Sequence, residues 1–342
     1  MERQDKDLAY LLRFENIAWF DGETVKILDR RVYPWKEEHV VCRTPEEVAQ
    51  AIKDMVTQSG GPYFAAAMGM VLAVSIAQRE NLDILDYGRR AAYTLSHPRP
   101  TTVARMEAVT NSSLKAIEIA LGEGSDPLQA AFDNAIEGIN ARYASTKKTA
   151  HHLVNLFPNQ GTVMTQCYAE TILGLMCLEI RNQNKKIDFI CPETRPYLQG
   201  GRLTSSVLSD MGHSVHVITD NMPGYILKNK KVDVFTSAAD VISMDGHIVN
   251  KIGTFQIALA ANYWGIPYYV TGTPNPAHPT IDTVKIEERD HSQVTTLFGT
   301  TFVKPAVKAY YPAFDVTPPH LCSGVVTTKG VFSAFDLKQH FG

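Results

Sequence analysis

The second half of this 342-residue chain switches repeatedly between two hydrophobic periods. Short apolar or alternating runs, "TVMTQ", "KIDFIC", "SVHVIT", "VDVFTSA" and "PYYVTG", are separated by helical segments of roughly a dozen residues. That order restricts the fold more than any other property of the sequence. Parallel strands of this kind are joined by right-handed crossovers, so the runs predict an α/β unit. Its expected form is a Rossmann-like parallel sheet with helices on both faces. Ligands of such sheets sit outside the carboxyl ends of the strands. The polar residues expected there are Gln166 and Cys167, residues 193–195, Asp220 and Asn221, residues 237–240 and residues 271–273.

The first part of the chain reads differently. "ENIAWFDGETVKILDRR" alternates on both sides of an Asp-Gly pair, which predicts a β-hairpin. From "TPEEVAQAIKDMV" onward the period is helical, with Thr44 as the start signal and Pro45 behind it. Apolar helical patterns follow over residues 65–77, 84–95, 101–121 and 127–143. The expectation is an N-terminal, mainly helical domain with a small β-rich opening over 1–145, and a Rossmann-like catalytic domain over 146–342.

Composition narrows the partners. Thirty-three basic residues against thirty-six acidic ones give a formal charge of −3, so no broad attraction to nucleic acid or to a membrane surface is expected. The opening "MERQDKDLAYLL" is charged where a signal peptide would need an apolar core. The apolar run at 65–77 is shorter than a bilayer span and reads as a buried helix. Five cysteines, an odd number, argue against a disulfide framework and for a reducing compartment. A soluble cytoplasmic protein is expected. No cysteine–histidine spacing suggests zinc, and neither a Walker loop nor GxGxxG occurs, so no metal and no cofactor is expected.

Several residues could carry chemistry. Cys167 is expected to open the helix "YAETILGLMCLEI", where the positive end of the dipole would favour a thiolate. Taken alone, a cysteine is more often a small buried hydrophobe, which is the reading for Cys177. Asp240, after "VDVFTSAAD", reads equally as a cap or as a proton carrier with a raised pKa. "NKIGT" puts Asn250 and Lys251 before a helix, and Lys251 is either a phosphate clamp or a surface lysine. "ETRPYLQGGRLT" gathers Arg195, Gln199 and two glycines at a helix start. Bare N–H groups there would form an anion site, whereas glycine pairs more usually serve tight packing. Arg99 in "SHPRPTT" and Ser59, Gly60 and Gly61 in "SGGPYF" are two further candidates.

"CPETRPYLQGGRLT", "ITDNMPGYIL", "SAADVISMDGHIVNKIGTFQIALAANYWGIPYYV" and "YYPAFDVTPPHL" closely resemble the 5-methylthioribose-1-phosphate isomerases, and the likeness covers nearly the whole chain. That family shares its fold with ribose-1,5-bisphosphate isomerases and with regulatory subunits of a translation-initiation guanine-exchange factor. The resemblance implies a homodimer without a required cofactor. It also implies aldose–ketose isomerisation of a 5-substituted ribose 1-phosphate, with methylthio or deoxy at C5, in methionine or 5-deoxypentose salvage. It places the catalytic cysteine on Cys167 and the catalytic aspartate on Asp240. Sugar-phosphate contacts fall on Arg99, Gln199, Asn250 and Lys251, and on the loop of Ser59, Gly60 and Gly61.

In the mechanism expected from this, Asp240 is kept protonated by apolar surroundings and donates to the ring oxygen, while Cys167 relays a proton between C2 and C1; a direct hydride shift between those carbons stays open. The sequence departs from the family at two places: "SGGP" stands where "RGAP" is expected, so Ser59 occupies an arginine position, and "TQCY" stands for "THCN". Both departures point to a changed substrate. A ribose-1,5-bisphosphate isomerase is the weaker reading, because no charged cluster awaits a second phosphate. A non-catalytic regulatory subunit would have no need of both Cys167 and Asp240.

Overall fold

The computed structural model describes residues 3–98 and 103–342. The chain divides into two compact units, Met1–Ala144 and Ser145–Gly342.

In the first unit a short α1 (Phe14–Ile17) leads into an antiparallel sheet of β1 (Trp19–Phe20), β2 (Val25–Leu28) and β3 (His39–Cys42). The Asp-Gly pair makes the turn between β1 and β2. Gly22 takes φ +108, and the Asp21 carboxylate accepts the Glu23 and Thr24 N–H groups at 3.2 and 2.9 Å. Helix α2 (Pro45–Lys53) starts where Thr44 Oγ1 accepts the Glu47 N–H at 3.2 Å. Helices α3 (Gly61–Arg79), α4 (Ile84–Ser96) and α5 (Val103–Glu123) follow. Helix α3 outruns the apolar stretch read from the sequence, and at 19 residues it is long and apolar enough to cross a bilayer. Most of it is buried, so the core-helix reading holds on burial and the argument from shortness does not. Helix α6 (Pro127–Val154) runs on through "STKKTAHH", beyond the pattern that ended at 143.

The second unit continues with β4 (Gln160–Met164), α7 (Thr171–Asn182), β5 (Lys186–Pro192), α8 (Ser205–Asp210), β6 (Val215–Ile218) and α9 (Pro223–Asn229). Then come β7 (Val234–Ala238), β8 (Val241–Ile242), β9 (Ile248–Lys251), α10 (Thr254–Tyr263), β10 (Tyr268–Thr271) and α11 (Ser292–Thr295). The chain closes with β11 (Thr296–Leu297), β12 (Thr300–Thr301), β13 (Phe314–Thr317), β14 (Gly324–Thr327) and β15 (Gly330–Phe332). Among the described residues the main sheet has the order β15-β14-β10-β7-β4-β5-β6. Its pairings are parallel except for the β14–β15 hairpin, which makes this a mixed α/β fold with a mostly parallel sheet.

The five quoted runs are β4, β5, β6, β7 and β10. Strand β14 escaped the sequence reading because no helical segment of ordinary length introduces it. The sheet's core is built from Met164, Ile190, Phe235, Val270 and Val325, one from each of five neighbouring strands. Continuous apolar runs are what strands covered on both faces require.

The order of assembly fixes where a ligand can dock. The chain lays β4, β5 and β6 outward in one direction, then returns to place β7 on the other side of β4. The direction of winding therefore reverses between β4 and β7, and a crevice opens at their carboxyl ends. Cys167 follows β4 and Asp240 follows β7. A second small sheet, β8-β9-β13, is antiparallel throughout and supplies the residues that face this crevice.

Candidate active site

Beyond Met164 the backbone leaves the sheet by an uncommon path. Cys167 and Glu170 take φ +59 and +44, in the left-handed region that side chains disfavour. Two threonines hold the strained residue: Thr194 Oγ1 accepts the Cys167 N–H at 3.2 Å, and the Thr204 hydroxyl donates to the Cys167 carbonyl. Helix α7 begins only at Thr171, so the sulfur does not sit at the helix start that the sequence led us to expect. Burial pushes the Cys167 thiol up to about 11, opposed by the charge of Lys251 and reinforced by Asp240. The expected thiolate is therefore a thiol at rest. A cavity of about 20 Å³ beside it, lined among others by Gln166, Thr204, Ser237 and Thr271, has room for about one water. Asp240 does not line that cavity.

Asp240 and the cysteine loop both hang from β9. The Asp240 N–H donates to the Val249 carbonyl at 2.9 Å, and Gln166 Nε2 donates to the Ile252 carbonyl at 3.2 Å. Between those two anchors lie Asn250 and Lys251, each 5% exposed. Asn250 Nδ2 donates to Thr254 Oγ1 at 3.2 Å, and Lys251 Nζ lies 4.6 Å from the ring centroid of Phe314, its partner on β13. Burial first, then the neighbouring Arg289, holds the Lys251 pKa below its usual range, while Cys167 and Asp240 pull it back up. Lys251 is thus a buried amine, and the Cys167 thiol and the Asp240 carboxyl group both lie within its field. The Asp240 side of this trio differs from expectation: the residue is solvent-exposed past the rim of β7, without an apolar enclosure.

The segment "ETRPYLQGGRLT" corrects another expectation. The Asp220 carboxylate accepts the Thr194 and Arg195 N–H groups at 2.8 and 2.6 Å. The Gly201 N–H donates to Glu193 O at 3.2 Å and the Arg202 N–H to Leu198 O at 2.8 Å, so these helix-start donors are spent on the chain itself. Gly200 is a packing glycine, because a Cβ there would collide with the Pro192 carbonyl oxygen. Arg195 donates to the carbonyls of Val294 and Pro196, at 2.9 and 3.0 Å, and is no fork for a ligand. Gln199 remains a candidate. It is 2% exposed, and its Oε1 has no hydrogen-bond partner among the described residues.

In the first unit, Ser59 is exposed at φ +59, while Gly60 and Gly61 are buried at the start of α3. Gly61 is packed against Thr57, where a Cβ would not fit. Fully buried Arg30 donates to Gln58 O at 2.8 Å and fastens this loop from within the unit. Arg99 lies outside the described residues. Among the described residues no group of His, Cys, Asp or Glu is arranged to hold a metal ion.

Three residues near the trio went unread in the sequence: Arg289, Tyr311 and Asp315. Arg289 gave no signal, and Tyr311 and Asp315 were visible only inside the quoted "YYPAFDVTPPHL" motif.

Residues 59–334 match the model of the Initiation factor 2 subunit family. A methylthioribose-1-phosphate isomerase of Thermotoga maritima is 34% identical over 333 residues, covering 94% of this chain and 95% of that protein. The crystal structure of 5-methylthioribose 1-phosphate isomerase from Pyrococcus horikoshii superposes with a TM-score of 0.80 at 27% identity, covering 100% of this chain and 99% of that one. Translation initiation factor eIF-2B, subunit delta, from A. fulgidus superposes with a TM-score of 0.78 at 28% identity, over 93% of this chain and 96% of that one.

Proposed function

Since this chain belongs to the Initiation factor 2 subunit family, we propose that it is the isomerase kind of member: an aldose–ketose isomerase acting on a 5-substituted ribose 1-phosphate. The observation that carries this reading is the convergence of Cys167, Asp240 and buried Lys251 around β9 at the winding reversal. A binding-only subunit has no use for a proton-bearing thiol and a carboxyl group in one electrostatic neighbourhood. The likeness to proteins named methylthioribose-1-phosphate isomerases supports the same side.

The substrate ring is locked, because its anomeric oxygen carries the phosphate. Asp240, covered by bound sugar, donates a proton to the ring oxygen and opens it. Two routes to the 1-phosphoketose then balance. In the first, the Cys167 thiolate takes the C2 proton and returns it to C1, while the Asp240 carboxylate recovers a proton from the C2 hydroxyl. In the second, hydride passes directly from C2 to C1 and Asp240 again collects the hydroxyl proton. Only the first requires a thiolate, which burial opposes and the neighbouring Lys251 favours. Lys251 and Asn250 hold the phosphate, and Gln199 Oε1 accepts from a sugar hydroxyl. The 20 Å³ cavity is too small for a pentose phosphate, so the sugar lies over its mouth.

To this chain we assign a helical domain to residue 145, a Rossmann-like catalytic domain from 146, a cytoplasmic homodimer and a substrate with a neutral 5-substituent. Arg99 and the Ser59–Gly61 loop (59–61) complete the phosphate contacts in this reading. The test is to incubate the purified protein with methylthioribose, 5-deoxyribose and ribose 1-phosphates and follow ketose formation by NMR in D2O. Ketose from a 5-substituted substrate is expected, and deuterium at C1 decides between the routes. No turnover of any of the three would sink the isomerase reading.

A further inference from the structure

Tyr311 sits where the chain enters β13, and it is 2% exposed. Its hydroxyl is sealed from solvent; Arg289 is its one polar neighbour of note, and no described residue accepts the phenolic proton. The phenol faces Arg289, whose backbone N–H donates to the Tyr311 carbonyl at 3.0 Å. A guanidinium can only donate, so Arg289 leaves the phenolic proton without an acceptor. Burying such a donor without an acceptor is unfavourable, and a phenylalanine would avoid that cost.

The surroundings say what acceptor is awaited. Arg289 lies 5.7 Å from the Phe314 ring centroid, the same ring that Lys251 approaches to 4.6 Å. The Arg289 side chain is 14% exposed and is held by Glu287 at 2.9 Å. The segment is also fastened to the cysteine loop. Ala313 O accepts the Ile252 N–H at 3.1 Å, and Ile252 O accepts from Gln166, the neighbour of Cys167. Lys251, Arg289 and Tyr311 all offer donors, and each lies within the field of Cys167. An acceptor-rich anion fits such a set, and in a 1-phosphate sugar the phosphate is bonded to the carbon at which Cys167 would act.

We propose that the Tyr311 hydroxyl, backed by Arg289 and beside Lys251, donates a hydrogen bond to the phosphate of the substrate. This rests on the isomerase reading for the identity of the sugar, and on the donor set alone for the phosphate.

The experiment compares wild type with Tyr311→Phe, using inorganic phosphate as the ligand in calorimetry and ribose 1-phosphates as substrates. Phosphate affinity and KM should worsen roughly 10-fold or more in the variant, as expected for a hydrogen bond to a charged group. The melting temperature should stay level or rise, since an unmatched buried hydroxyl is gone. Equal phosphate affinity in the two proteins, or no phosphate binding by wild type, overturns the proposal. If wild type binds phosphate, the variant binds it more weakly and neither turns over any sugar, Tyr311 keeps its assignment and the isomerase reading falls alone.

Discussion

Asp315 on β13 stands directly opposite Asn250 on β9, and its carboxylate closes the helix that the Asn250–Lys251 corner leads into. Asp315 Oδ2 accepts the Gly253 N–H at 2.7 Å and the Phe255 N–H at 3.2 Å. The N-terminus of α10 is therefore already occupied by the protein's own anion, and a bound phosphate must look to side chains instead. Burial raises the Asp315 carboxyl from 3.8 to about 6, although the two N–H groups favour the charged form.

A raised folded-state pKa means the folded protein holds this proton more tightly than the unfolded chain. Its contribution to stability is full below pH 3.8 and is lost as pH rises through about 6. That loss is on the order of 2–3 kcal/mol. Asp315→Asn should abolish this part of the slope. Chemical denaturation at several pH values between 4 and 7 measures it, and parallel curves for variant and wild type would contradict the assignment.

Cys167→Ser and Asp240→Asn should each lower kcat by a factor of about 100 or more, the usual scale for positioned proton carriers. Circular dichroism melts should stay within a few degrees of wild type for Asp240→Asn, because the residue is exposed and its backbone bond to Val249 persists. Full turnover by either variant would remove that residue from the chemistry.

Lys251→Met keeps the aliphatic stem over Phe314 and removes a buried charge. Stability should hold or improve, while KM for a sugar 1-phosphate rises roughly 10-fold or more. Because Lys251 holds the Cys167 thiol below where burial alone would put it, iodoacetamide alkylation of Cys167 should shift to higher pH in the variant. An unchanged alkylation profile would show that the two groups do not share a field.

Gly200→Ala and Gly201→Ala separate packing from ligand binding. At Gly200 the new methyl meets the Pro192 carbonyl oxygen, and a loss of about 3 kcal/mol or outright misfolding is expected. At Gly201 the nearest atom is 3.4 Å away, so stability should change by less than about 1 kcal/mol and KM should not move. A large KM effect at Gly201 with normal folding would restore the anion-cradle reading.

The parallel sheet was legible because β4, β5, β6, β7 and β10 each carry a short apolar or alternating run set off by helical segments. Cys167 and Asp240 stood out as candidates because the ends of such strands are few, and Lys251 because "NKIGT" precedes a helix. The protonation state of Cys167 was not: whether a sulfur feels a helix dipole depends on where the helix starts, and a four-residue delay moved it into a burial-dominated setting. The Arg195 and Gly201 readings failed for a related reason. Donors at a turn are visible in a sequence, whereas the acceptors that consume them, Val294 O and Glu193 O, are ordinary backbone. Tyr311 and Arg289 come from an irregular stretch with no period to read, and only pairing along β13 brings them to β9.

The attachment of the Cys167 and Asp240 loops to β9 and its end separates their architecture from the chemistry proposed for them. Main-chain and amide bonds, to Val249 and Ile252, set the position of each loop, and neither depends on the sulfur or the carboxylate it carries. A descendant that mutated either reactive atom away would keep an undistorted receptor for the same phosphorylated metabolite. Catalysis on this frame can be lost in one substitution while recognition persists, which makes it ready material for a sensor.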